Sequence, residues 1–232
     1  MGSYSVSGKN AIFAAMIQLD TLFSIIVKGF IIGVVVSAPL GPVGVLCIQR
    51  TLNKGRWYGF VTGIGASLSD IGYAVLTGYG MSFVGEYIEP HLLLLQLLGS
   101  IMLLFFGIYT FRSNPVRAIR PASPGKGSYF HNFVTAFFVT LSNPLIILLF
   151  IGLFARFAFV QTGVLLFEEV TGYLAIALGA LAWWLTITYF VNKVRTRFNL
   201  RGIWMLNRVI GGVVILVAVL GFGYTLLNAY CA

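Results

Sequence analysis

Charge is scarce in this sequence. Only 9% of its 232 residues are Asp, Glu, Lys or Arg, whereas a soluble domain carries roughly 25%. A soluble chain of this size could not cover its surface with so few charges. With 59% of its residues hydrophobic, the solvent that suits it is a bilayer. The net charge of +9 would suggest nucleic acid if it formed a patch. Instead the charges fall in short gaps between apolar runs, so no nucleic-acid partner is expected.

Cysteine is nearly absent. Cys47 and Cys231 lack the CxxC spacing of a metal or thiol-exchange motif and read as small packing residues. His91 and His131 each sit at the edge of an apolar run, as interface anchors rather than ligands, so no metal site and no cofactor is expected. Nucleophile elbow, zinc helix and P-loop are all missing: Gly63-x-Gly65 lies inside a hydrophobic helix, where it serves close packing. That argues against an enzyme and against an ATP-driven pump. No removable leader is expected either. Lys9 precedes a short apolar run, Ala11–Ile17, which ends at Gln18-Leu19-Asp20 without a small-x-small cleavage site. Residues 1–20 therefore read as an extra-membrane or interfacial lead-in, with no soluble domain appended.

What is abundant is long apolar sequence. A crossing helix needs roughly 20 predominantly apolar residues, and six stretches qualify: about 22–48, 57–80, 91–111, 131–155, 165–191 and 203–228. Lysine and arginine orient them. Arg50, Lys54 and Arg56 follow helix 1, Arg112, Arg117, Arg120 and Lys126 follow helix 3, and Lys193, Arg195, Arg197 and Arg201 follow helix 5. The other connections carry Glu86 and Glu89, or Glu168 and Glu169. Basic loops stay in the cytoplasm, so both termini are expected on the non-cytoplasmic side of a multi-pass protein.

The chain also resembles itself. Ser37-Ala38-Pro39 and Ser142-Asn143-Pro144 interrupt helices 1 and 4 at an offset of 105 positions. Val61-Thr62-Gly63 in helix 2 is matched by Val170-Thr171-Gly172 in helix 5. Gly99 and Gly107-Ile108-Tyr109-Thr110 in helix 3 are matched by Gly211 and Gly223-Tyr224-Thr225 in helix 6. Three matches in the same order predict a duplicated unit. Each unit has an odd number of spans, so the second enters the membrane inverted, an architecture recurrent in secondary transporters. The expected fold is an all-α integral membrane protein of six transmembrane helices in two inverted three-helix repeats. The lead-in covers 1–20, the repeats 21–111 and 131–232, and a cytoplasmic linker 112–130 joins them.

Candidate site residues cluster at the breaks. Proline removes a backbone donor and interrupts a helix. Pro39, Gly41 and Pro42 break helix 1, while Ser142, Asn143 and Pro144 break helix 4. At 1.5 Å per residue, Pro39 lies about 16 Å and Pro144 about 20 Å from the basic end, near mid-membrane, where paired broken helices build substrate sites. The alternative is a pair of packing kinks without ligand contact. Asp70 is the only acid deep in any span, and intramembrane acids usually line a pathway or relay protons. A structural role capping backbone freed by the break is its alternative. Ser67 and Ser69 add hydroxyls, and small residues at Gly59, Gly63, Ala66, Ala74 and Thr77 share the Asp70 stripe, which lets another helix approach closely. Trp183 or Trp184 could wall a cavity. Lys28 is placed to snorkel. Gly-x-x-x-Gly spacings at Gly29/Gly33 and Gly59/Gly63 suit contacts within one subunit or between subunits, so a homo-oligomer stays open.

From Ser37 to Gly80 the chain is similar to the signature region of the lysine-exporter (LysE/RhtB) family. The Gly41-Pro42 break, the basic turn with Gly55 and Arg56, and the glycine-rich helix carrying Asp70 bear the likeness, and Asn143-Pro144 fits the same pattern. The longer N-terminal lead and the Ala-Pro-Leu-Gly-Pro form of the break depart from it. The resemblance implies export of amino acids or similar small solutes, driven by protons or membrane potential. Cation or metal efflux, known in the wider superfamily, and a non-transport scaffold remain the competing readings.

Overall fold

The computed structural model describes residues 3–39, 41–83, 91–113, 128–143, 145–159, 165–193 and 200–231. The regular elements within them are all helices: α1 (Ser3–Ser37), α2 (Pro42–Lys54), α3 (Arg56–Phe83), α4 (Leu92–Arg112), α5 (Tyr129–Leu141), α6 (Leu145–Phe157), α7 (Leu166–Lys193) and α8 (Leu200–Cys231). Five are long and apolar enough to cross a membrane, and the bent pair α5–α6 makes a sixth span. The helix of the lead-in runs on without interruption into the first span, whose membrane-length part begins at Gln18. Most of the linker expected at 112–130 lies outside the described residues, as does Pro144.

The breaks fall where the sequence places them. After Ser37 the chain leaves helical geometry and α2 restarts with Pro42 in its first turn, where the missing N–H costs nothing. Gly55 ends α2 at φ +104, a left-handed conformation that glycine adopts without Cβ strain, and the chain turns back along α3. In the second broken span α6 departs from α5 by 70°. Asn143 begins the new helix, its Oδ1 accepting from the Leu145 amide at 3.2 Å. Ser128 starts α5 by accepting from the His131 amide at 3.2 Å, a side-chain cap for a donor that has no partner inside the helix.

Small residues decide how close the helices come. A Cβ on Gly33 would meet the Ile176 carbonyl oxygen and stand 2.9 Å from the Ala180 nitrogen; one on Gly29 would stand 2.7 Å from the Gly172 oxygen. So α1 lies along α7 in the same direction, backbone against backbone. A Cβ on Gly65 would strike the Phe133 carbonyl, and Ser69 and Tyr73 donate to the carbonyls of Phe137 and Leu141, which sets α5 parallel to α3. Gly107 packs on Ile215 and Gly211 on Phe111, fixing the antiparallel pair α4–α8. Gly29/Gly33 and Gly59 are thus used inside the subunit, Gly59 facing Cys47, Thr51 and Thr188.

Two apolar clusters fill the interior. One gathers Ile32, Tyr73, Leu103, Phe150, Phe154 and Ile176; the other gathers Cys47, Ile48, Ala66, Trp184 and Ile187 around α2. Phe23, Leu76, Phe105, Leu174 and Leu220 point outward and are more than half exposed, the apolar coat a lipid-facing bundle needs. Basic side chains collect at one end over aromatic rings: Arg56 over Trp57 and Tyr189 at 5.2 and 5.4 Å, and Arg208 over Trp204 and Phe111 at 4.0 and 5.1 Å. Glu168 and Glu169 open α7 at the other end. This is the charge and aromatic pattern of a protein seated across two interfaces.

Candidate functional site

A cavity of about 310 Å³ lies between the two breaks. One wall is the α1–α2 junction from Val36 to Val45, with Pro39, Gly41 and Pro42. Asp70 and Ala66 of α3 form the floor, while Thr140 and Asn143 stand at the α5–α6 break. Opposite α2 are Phe106, Tyr109, Thr110 and Ser113 of α4, with Asn207 of α8. The cavity therefore runs from the middle of α3 to the end of α4 on the basic side. Among the described residues, no lining side chain comes from 91–105 or 165–183.

Asp70 is 4% exposed and accepts a hydrogen bond from Ser37 Oγ at 3.4 Å. A carboxylate in that setting is costly without a cationic or protonic partner, and among the described residues no lysine or arginine lines the cavity. Next to it, the first turn of α2 has no side-chain cap. Its amides carry the partial positive charge of a helix N-terminus, and Gly41 leaves open space where a Cβ would stand. The α6 N-terminus is different, being closed by Asn143. Thr140 and Trp184, both 3% exposed, keep a hydroxyl oxygen and an indole nitrogen without a hydrogen-bond partner.

Of the residues singled out from sequence, Asp70, Pro39, Gly41, Pro42 and Asn143 meet around this cavity, and Pro144 lies outside the described residues. Ser69 does not reach it: buried, it donates to Phe137 O at 2.7 Å across the α3–α5 contact. Ser142 is exposed and its hydroxyl returns to Phe138 O of its own helix at 2.8 Å. Trp184 lines the cavity, held by Gly63, whose Cβ would strike the indole. Sequence reasoning passed over Ser37 as a partner and Asn207 altogether. Asn207 is fully buried and donates to Thr110 O at 2.6 Å, Ser113 Oγ at 2.8 Å and Ser113 O at 3.3 Å, finishing the end of α4. Its signal was an amide at the start of an apolar span.

Fold and cavity together define a multi-pass membrane protein with a largely apolar chamber, holding a few polar groups, between two interrupted spans. Among the described residues no group of His, Cys, Asp or Glu is arranged to hold a metal ion. The chain belongs to the LysE type translocator family, whose model matches residues 34–224. It is 30% identical over 133 residues to a Bacillus subtilis (strain 168) protein named "Putative amino acid efflux protein YcgF", covering 56% of this chain and 62% of that relative. It is 25% identical over 170 residues to the uncharacterized membrane protein YahN of Escherichia coli (strain K12), covering 72% and 75%. No solved structure matches the chain.

Proposed function

We propose that this chain is a secondary transporter that exports amino acids or similar small zwitterions by alternating access. The observation that carries the reading is Asp70, buried at the middle of α3 and facing a cavity that two broken spans enclose. In this reading Asp70 takes the substrate ammonium or a coupling proton, with Ser37 orienting its carboxylate. The uncapped first turn of α2 takes the substrate carboxylate. Thr140, Asn143 and Trp184 supply further polar contacts. Export is driven by protons or membrane potential, in keeping with a sequence that carries no P-loop.

Two further parts of the reading have physical support. The basic end at Arg56, Arg112 and Lys193 is the cytoplasmic one by the positive-inside tendency, which leaves both termini outside, and both relatives are bacterial proteins. The two inverted repeats are supported by a pair of like contacts. The first half of each broken span lies parallel to the second helix of the other unit, α1 along α7 and α5 along α3, with Gly179 against Phe30 and Gly65 against Phe133.

Counterflow of a radiolabelled amino-acid mixture in liposomes tests this. Removing the charge with Asp70→Asn should slow exchange about tenfold or more, the effect of losing a charge-assisted contact. Unchanged rates and unchanged pH dependence would take Asp70 out of the mechanism.

A further inference from the structure

The two short helices beside the cavity, α2 and α6, each carry in their C-terminal half an arginine held by a threonine. Arg50 Nη1 of α2 donates to Thr62 Oγ1 at 3.0 Å and to Asn132 O at 2.8 Å, tying α2 to α3 and α5. Arg156 Nη1 of α6 donates to Thr225 Oγ1 at 3.3 Å, tying α6 to α8, where Gly221 makes room for the guanidinium. The two arginines lie toward opposite ends of the bundle, because α2 runs to the basic end and α6 runs away from it.

The sequence repeat pairs these threonines differently. Thr62 belongs to Val61-Thr62-Gly63, which corresponds to Val170-Thr171-Gly172. Thr225 follows Tyr224 as Thr110 follows Tyr109. Each observed contact thus has a counterpart that is not made: Arg156 with Thr171, and Arg50 with Thr110. Thr171 instead returns its hydroxyl to Phe167 O at 2.7 Å, and Thr110 faces α2 across the cavity.

The helices also pack asymmetrically. Both touch the second helix of the other unit, α2 on α7 and α6 on α3, but α2 rests chiefly on α3 while α6 rests chiefly on α4, with Gly99 against Gly152. Both short helices are bounded by a break at the start and a left-handed residue at the end, Gly55 at φ +104 and Ala158 at φ +44. Such residues absorb changes in backbone direction at a hinge.

From these observations we propose that Arg50 and Arg156 are exchange latches. Each arginine has two threonine stations, Thr62 and Thr110 for Arg50, Thr225 and Thr171 for Arg156, and the pair occupied sets which end of the cavity is closed. In the observed arrangement α6 is latched on the last helix, and Ile32, Phe150, Phe154 and Ile176 fill the half away from the basic end. Moving Arg50 to Thr110 swings α2 across the cavity and closes the basic end. Moving Arg156 to Thr171 carries α6 off α4 and opens the other. The latch rests on the alternating-access reading of the same cavity, and it names positioning residues rather than substrate contacts.

The test reads the direction of the shift. Cys47 and Cys231 are replaced by Ser, and Val139→Cys, lining the cavity, reports access of a charged, membrane-impermeant methanethiosulfonate reagent from each side of oriented vesicles. Thr62→Val and Thr225→Val remove stations of the observed arrangement, so labelling from the side opposite the basic end should rise. Thr110→Val and Thr171→Val remove stations of the other arrangement, so it should fall. The expected change in the ratio of the two labelling rates is about tenfold in each direction, the effect of one hydrogen bond to a charged group. The four Thr→Ser variants keep the hydroxyl and should label as the parent does; they also separate a lost station from a misfolded protein. Shifts of the same sign in all four valine variants, or none, overturn the latch. Amino-acid counterflow in the same vesicles is scored independently. Its absence alongside the expected sign pattern would overturn the export reading and leave the latch standing.

Discussion

Gly33→Ala is a one-carbon change with a calculable consequence. The new Cβ would overlap the Ile176 carbonyl oxygen and lie 2.9 Å from both the Ile176 carbonyl carbon and the Ala180 nitrogen. Carbon contacts are comfortable at about 3.5–4.0 Å, so α1 has to retreat from α7 by about 1 Å. All three obstructing atoms are backbone, and no side chain can rotate away to make room. Overpacking of this kind costs about 1–3 kcal/mol. The gain in helix propensity from Gly to Ala, up to about 1 kcal/mol, offsets part of it. A net loss of about 1–2 kcal/mol lowers the melting temperature by roughly 2–8 °C for a chain of this length. Gly72→Ala is the control: nothing lies within 4 Å of its Cβ position, and only the propensity gain operates. Thermal unfolding in detergent, followed by size-exclusion chromatography, should show Gly33→Ala falling and Gly72→Ala level or slightly raised. Equal melting temperatures would refute backbone contact as the basis of the α1–α7 pairing. The same retreat would carry Ser37 away from Asp70, so Gly33→Ala should also weaken exchange.

Other outcomes follow from single contacts. Asn207→Ala removes an NH2 group whose two hydrogens serve three acceptors at a fully buried position and should cost about 1–3 kcal/mol, read as a melting temperature several degrees lower. Asn207→Asp cannot donate to the Thr110 and Ser113 carbonyls and should fall at least as far; wild-type stability in that variant would show that the amide does not hold the end of α4. Ser142→Ala, altering an exposed hydroxyl bonded within its own helix, should leave half-saturation for exchange unchanged. Thr140→Val, which removes an unpartnered hydroxyl at the cavity, should raise it severalfold. A reversal of that order in a counterflow titration would move the substrate contact from Thr140 to Ser142.

Residues next to Asp70 in sequence are not its neighbours in space, and this limits how far a site can be read from sequence. Successive helical residues point about 100° apart at 3.6 residues per turn. Ser69 therefore faces α5, while the partner of Asp70 is Ser37, 33 positions away at the end of another helix. The small-residue stripe on α3 was legible, and Gly63 and Ala66 do face another element, Trp184 among its residues. Which of several equally apolar helices it would meet was not.

The crossing helices, the charge distribution between their ends and the two interruptions were determined by the sequence alone. Each is a local property: hydropathy is counted along about 20 residues, a proline breaks the helix in which it sits, and a charge stays where water is. The burial of Asp70 beneath the first break, the capping of α6 but not α2, and the leaning of α6 on α4 while α2 leans on α3 were decided only by the tertiary structure. Lipid tails are as apolar as the side chains, so hydrophobicity does not choose between partners. The choice falls to close backbone approach and a few buried hydrogen bonds, which exist only once the helices have met.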